Sequence, residues 1–309
     1  MKSSNRLRAS CAAMIAASIA LSTSPASADS ANQPSPEGAP LSDRLQYDDQ
    51  GDLRTNGTGG YFVQTPYTEN SISQKIGSMY VGETFGPSGC TASVIESATR
   101  TLAITADHCT VNIKPGSTVK FAPAAEEGQE PYGGWFIDKK FASSDPVDGS
   151  IPDVAVLVIR PQDGKRIADL TGGGLQIHPG LAAGEVVRGS FIGYPGPSPY
   201  NGLRQSICIG DYTYHPDRGR GAISRVSDQT ECWVGGGSSG GPYLAFADGV
   251  PKIITVLNSN GGSRISDVVP DLIEQADAWA QSEYNLDSTP PVVPTPIPDT
   301  GSLGGGAGS

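Results

Sequence analysis

The feature that most constrains this chain is its texture between Ser71 and Leu286. Short apolar runs rich in Val, Ile, Thr and aromatics follow one another, separated by Gly, Pro, Asn and Asp. Thr91–Ile95, Thr101–Thr105, Val154–Ile159, Val186–Ile192, Ser206–Ile209 and Ile253–Leu257 are examples. Such runs are too short for core helices, and β-branched side chains suit pleated strands, so the stretch reads as an all-β sandwich or barrel. No regular alternation of strand and helix patterns appears, which argues against a parallel α/β sheet. A stretch of this length builds one domain or two small barrels sharing a cleft.

One helix stands apart, near the C-terminal end. Asp267 offers a cap, Pro270 suits a first turn, and Leu272, Ile273, Ala276, Trp279 and Ala280 fall on one face. That stripe predicts a terminal helix packed on the β body. Residues 287–309, with five prolines before a Gly/Ser run, read as an extended solvated tail. Residues 29–70 are polar, rich in Gly, Pro, Ser and Asp, and without sustained period; they read as a propeptide or flexible N-terminal arm ahead of a body at 71–286. An ordered extension wrapped around the body is the alternative.

Residues 1–28 have the form of a secretory signal peptide. Lys2, Arg6 and Arg8 precede the short apolar run Ala9–Leu21, and Ala26-Ser27-Ala28 offers a small-residue cleavage site. The run is too short for a stable membrane span, and no other stretch approaches one. Loss of this leader removes three positive charges and no negative ones, leaving 18 basic against 32 acidic residues, a net of −14. That excludes nucleic-acid binding through bulk positive charge.

Export also frames the cysteines. Cys11 leaves with the leader, and Cys90, Cys109, Cys208 and Cys232 remain. Four cysteines allow three pairings. Cys90–Cys109 with Cys208–Cys232 is favoured because each closes a short local loop, and free core thiols are the alternative.

Three segments bear on chemistry. Thr105-Ala106-Asp107-His108-Cys109 follows a predicted strand. Pro152-Asp153 opens the most apolar run in the chain. Gly235-Gly236-Gly237-Ser238-Ser239-Gly240-Gly241-Pro242 is a glycine-rich turn. A serine hydroxyl is a poor nucleophile at neutral pH and needs a base and oxyanion donors. The glycines let the chain turn sharply at Ser239, with the Gly237 and Ser239 amides as donors. Of three histidines, His178 and His215 each precede a proline in loop context; His108, between a strand and a cross-linking cysteine, is the fixed one. Asp153, at the edge of a buried strand, needs a partner. Paired with one ring nitrogen of His108, it selects the tautomer whose other nitrogen takes the Ser239 proton.

TADHC, DVAVL and GSSGGP, in that order, resemble the histidine, aspartate and serine motifs of the chymotrypsin/trypsin-like serine proteases. Phe191-Ile192-Gly193-Tyr194-Pro195-Gly196 resembles a strand end in the secreted bacterial glutamyl-endopeptidase branch. The similarity covers about Ile76 to Gly262. It implies two antiparallel six-stranded barrels with the site in the cleft between them, catalytic His108, Asp153 and Ser239, and an oxyanion hole at Gly237 and Ser239. It also implies a Cys90–Cys109 disulfide bracketing the histidine. Ser259-Asn260-Gly261 matches the extended segment that pairs with substrate backbone, and Val234 and Asn258 fall at the pocket wall.

Departures from the family pattern matter as well. Ser238 stands where many members carry the Asp that binds a freed N-terminus on zymogen activation. Val234 and Asn258 replace the Thr and His common in glutamate-binding pockets, so the resemblance does not carry cleavage after Glu.

The expectation is a secreted, monomeric serine endopeptidase acting on polypeptides through an acyl-enzyme, with no metal or organic cofactor. A protease-like binding or adhesion module without turnover is the alternative, opposed by the complete, ordered Ser/His/Asp set. An acyl hydrolase of the α/β type ranks third, because a strand pattern rather than a helix follows Ser239.

Overall fold

The structure is a computed structural model. It describes residues 59–286 except 64, 84, 87, 88, 115, 117, 148, 198, 199, 226–234, 248, 249 and 260, together with the backbone of one strand at Ser35–Ala39. The expected signal peptide, tail and most of the arm lie outside the described residues, as do Cys232, Val234 and Asn260. All described residues belong to one compact unit, Asn32–Ser309.

The architecture is mostly β. Strands β1 (Ser35–Ala39) and β2 (Gly59–Val63) come first. The next six are β3 (Ile76–Val81), β4 (Cys90–Val94), β5 (Leu102–Thr105), β6 (Val119–Pro123), β7 (Trp135–Ala142) and β8 (Ala155–Ile159). They close into an antiparallel barrel in the order β3-β4-β5-β8-β7-β6. Then come a short helix α1 (Ile167–Leu170), β9 (Gln176–Ile177), β10 (Val186–Gly193), β11 (Ser206–Tyr214), β12 (Ile223–Arg225), β13 (Pro242–Ala247) and β14 (Val250–Val256). The terminal helix α2 spans Val269–Tyr284.

The second half differs from the expected closed barrel. Among the described residues it is an open sheet ordered β1-β2-β11-β10-β13-β14-β9, with β12 paired to β11. Its outer members are β1, of five residues, and β9, of two, while β12 pairs with β11 off that path. The antiparallel core of the half-barrel, β11-β10-β13-β14, is as expected.

Strand β8 shows why its sequence lacks polar–apolar alternation. Leu157 and Ile159 point into the first barrel with Phe121, Trp135 and Ile137. Val156 and Val158 point the other way, into a core shared with Leu272, Ala276 and Ala280 of α2. Both faces are covered, so every position is apolar.

Helix α2 buries Val269, Leu272, Ala276, Asp277 and Ala280, and Pro270 lies in its first turn. The capping expectation does not hold: the Asp267 carboxylate is taken by the Arg264 guanidinium, and Val268 is the cap position. Instead Asp277 fixes the helix to the barrel, accepting from the Ala98 amide (2.9 Å), the Thr99 amide (3.0 Å) and the Thr99 hydroxyl (2.5 Å).

Ordered packing begins ahead of residue 71, inside the segment that composition reads as an arm. β2 pairs antiparallel with β11, Ser206 opposite Phe62. The Tyr67 hydroxyl accepts from the Gln205 amide at 2.9 Å. The buried Gln205 side chain in turn donates to the carbonyls of Ser73 (2.9 Å) and Ile76 (3.0 Å). Polar composition hid this because the segment is held by hydrogen bonds and a few aromatic contacts rather than by an apolar stripe.

Candidate active site

The strand register builds the His–Asp pair. β5 and β8 are antiparallel neighbours with Thr105 opposite Ala155. His108 lies three residues beyond Thr105 in a 3-10 turn, Asp107–Thr110, and Asp153 lies two residues before Ala155. Both therefore leave the barrel at the same rim. The Asp153 carboxylate accepts from the His108 backbone amide at 2.9 Å and meets ring Nδ1 at 2.8 Å. Asp153 is only 4% exposed, while the imidazole is about half exposed.

The electrostatics follow from that contact. The hydrogen bond to Asp153 raises the His108 pKa above its ordinary value, against a smaller opposing effect of burial. Burial pushes the Asp153 carboxyl upward, but the ring and amide hydrogen bonds from His108, together with the charges of His108 and Arg220, outweigh it and hold the carboxyl below its usual range.

The Cys90–Cys109 disulfide, as expected, ties the turn carrying His108 to the start of β4. Cys208, in β11, is disulfide-bonded as well, and its expected partner Cys232 lies outside the described residues. Cys90, His108 and Cys109 are close enough to resemble a ligand cluster, but the two sulfurs are bonded to each other and offer no thiolate.

The serine turn is fastened from two sides. The Thr91 amide donates to the Ser239 carbonyl at 2.8 Å, and the Thr91 hydroxyl donates to the Gly237 carbonyl at 2.8 Å. On the other flank the Gly240 amide donates to the Leu257 carbonyl at 2.8 Å, and the Leu257 amide to the Gly241 carbonyl at 2.9 Å. Gly240 sits at φ +83°, where a Cβ would lie 2.1 Å from the Thr105 hydroxyl and 2.3 Å from the Thr91 carbonyl, so only glycine fits. Among the described residues, the Gly237 and Ser239 amides donate to no backbone carbonyl, as an anion site requires. Ser239 and Gly237 share with His108 the walls of one cavity of about 590 Å³.

Asn258, expected at the pocket wall, is 4% exposed. Its carbonyl oxygen accepts from the Gly262 amide at 3.0 Å and its amide donates to the Ser263 hydroxyl at 2.8 Å. That side chain bridges the turn after β14 on which Ser259 and Gly261 lie. The Ser263 hydroxyl then donates to the Asp153 carbonyl at 2.8 Å. Ser263 is thus a positioning residue that the motifs did not reveal; a lone serine beyond a glycine pair carries no sequence signature. Arg220 is a second omission. Its Nε donates to the Ile151 carbonyl at 3.0 Å, two residues before Asp153, and its charge opposes protonation of His108. His178 and His215 stay outside the site: His178 accepts from the Gly180 amide and His215 pairs with the Ser224 hydroxyl.

No protein-family model matches this chain, and no curated protein sequence does. Among solved structures, the thermostable serine protease AL20 from an extremophilic microorganism aligns at 21% identity and a TM-score of 0.50, covering 68% of this chain and 98% of that one. Protease Anisep from Arthrobacter nicotinovorans aligns at 27% identity and 0.48, covering 67% and 97%. A Glu endopeptidase in complex with MPD aligns at 16% and 0.48, covering 72% and 98%. The fold is the two-barrel, chymotrypsin-like one, with one barrel closed and the other a half-barrel sheet.

Proposed function

We propose that this chain is a secreted serine endopeptidase. The observation that carries the reading is the Asp153 carboxylate, which holds His108 by both ring and backbone while Ser239 lines the same cavity as that ring. In this mechanism Ser239 Oγ attacks the peptide carbonyl, and Nε2 of His108 takes its proton. The imidazolium, stabilised by Asp153, returns the proton to the leaving amine. The Gly237 and Ser239 amides receive the oxyanion, and water then hydrolyses the acyl-enzyme by the reverse proton path. No step draws on a metal or an organic cofactor.

The structural neighbours named above as proteases support peptide substrates. The form of residues 1–28 and the disulfides at Cys90–Cys109 and Cys208 support export. No helix among the described residues is long and apolar enough to cross a membrane. We read the protein as a monomer whose polar segment before the packed body is removed on maturation. We assign the acyl half of the substrate to the Ser259-Asn260-Gly261 segment, with Val234 and Asn258 at the pocket wall.

Labelling by a fluorophosphonate probe tests the assignment. Covalent capture at Ser239, abolished in Ser239→Ala together with a loss of turnover on the order of 10⁶-fold, is expected. Hydrolysis of protein substrates by Ser239→Ala at the wild-type rate defeats it.

A further inference from the structure

The cavity shared by His108 and Ser239 extends away from the segment assigned to the acyl half. Apart from Gly236 of the serine turn, its remaining walls come from the first barrel: the end of β3 and the loop after it, the disulfide, the residues just after the His108 turn, and Val119 of β6. No described residue of 257–263 lines it. An amine leaving Ser239 takes its proton from His108, so the half of the substrate bearing that amine has to lie on the His108 side. The cavity is on that side.

Its chemistry is distinctive in so acidic a chain. No Lys, Arg, Asp or Glu lines it among the described residues. Met79, Val81, Val111, Val119 and the disulfide supply apolar surface. Val81 and Val111 are 62% and 65% exposed, the two barest of the five exposed large hydrophobic side chains among the described residues. Two valines left bare beside the reacting pair, with a polarisable disulfide between strand and turn, gain most from an apolar partner. Single exposed hydrophobics need no explanation, but two facing one concavity do.

Resting on the protease reading, we propose that this cavity is a leaving-side subsite selecting a large apolar side chain, aliphatic or aromatic, within the first two residues beyond the scissile bond. The same cavity holds the incoming amine when the reaction runs as acyl transfer. The amine nitrogen attacks the acyl carbonyl, the C–N bond forms as the ester bond to Ser239 Oγ breaks, and the proton lost by the amine passes through His108 to Oγ. Atoms and charge balance with no co-reactant other than the amine.

Acyl transfer provides the test. The wild-type enzyme is acylated with a peptide ester, and leucinamide, phenylalaninamide and glycinamide compete with water as acceptors. Product ratios then report on the leaving side alone. Leucinamide or phenylalaninamide should be captured about tenfold more efficiently than glycinamide, a difference of about 1.4 kcal/mol. Val111→Asp, a change at an exposed position, should reduce that preference to within about twofold. Equal capture of the three acceptors by the wild-type enzyme overturns the subsite, as does a preference untouched by Val111→Asp and by Val81→Asp. If the ester does not acylate Ser239 at all, the protease reading falls and takes the subsite with it; acylation with indiscriminate acceptors sinks the subsite alone.

Discussion

Replacing Asp153 with Asn isolates how the carboxylate acts. The two oxygens of Asp153 have distinct tasks: Oδ1 accepts from the His108 amide at 2.9 Å, and Oδ2 meets Nδ1 at 2.8 Å. An asparagine of the same shape has one acceptor and one donor. The backbone amide cannot change character, and in a site 4% exposed two donors facing each other cost about 1–3 kcal/mol. The amide oxygen therefore takes the Oδ1 place, and its NH₂ faces Nδ1. Nδ1 must then accept, the ring proton moves to Nε2, and Nε2 has no lone pair for the Ser239 proton. Loss of kcat should be on the order of 10⁴-fold, about 5 kcal/mol of barrier, with KM changed only a few-fold. Hydrolysis of a fluorogenic peptide, with active sites counted by fluorophosphonate titration, measures both. Nitrogen-15 chemical shifts of the ring should report Nε2–H in the variant and Nδ1–H in the parent. A variant within tenfold of wild type at pH 7, correctly folded, refutes the orienting role.

On the proposed mechanism, in which neutral His108 is the base, the pH profile of kcat/KM should rise with pH through a midpoint above the ordinary imidazole value of 6.5, because Asp153 holds the His108 pKa up; in Asp153→Ala that limb should move to lower pH. The same pair links to stability: its histidine contribution is complete below the ordinary imidazole pKa and is lost as pH rises through the raised value. The Asp153 contribution is present above 3.8 and is lost as pH falls through the depressed value, which chemical denaturation across pH should follow. Asp277→Ala removes the acceptor of the Ala98 and Thr99 amides and should destabilise by roughly 3 kcal/mol, lowering Tm by about 6–12 °C. A melting curve within 2 °C of wild type counts against that clamp.

Long β-branched runs were legible because strand burial leaves a direct imprint. Residues 154–159 predict a strand, and β8 occupies 155–159; residues 186–192 predict one, and β10 occupies 186–193. The helix was legible by its period, and its packing face was correct. What escaped is held by single contacts rather than patterns. β9 and β12 are too short to show a period, and β2 sits in a glycine-rich stretch whose partner, β11, lies far along the chain. The site divides in the same way. Three motifs pointed to His108, Asp153 and Ser239 because each combines a reactive group with demanding local geometry. The bonds of Asn258 to the Gly262 amide and the Ser263 hydroxyl are not legible in the sequence, because they depend on how the chain folds back after β14 rather than on a local motif.

The anchoring of residues 59–76 by β11 and Gln205 sets a limit on how far the chain tolerates shortening. A form beginning at residue 71 would bare the β11 edge and withdraw the Tyr67 hydroxyl from the Gln205 amide. On the proposed removal of the polar segment, the cut is expected upstream of Gly59, and a recombinant version starting downstream of it should be recovered as insoluble material.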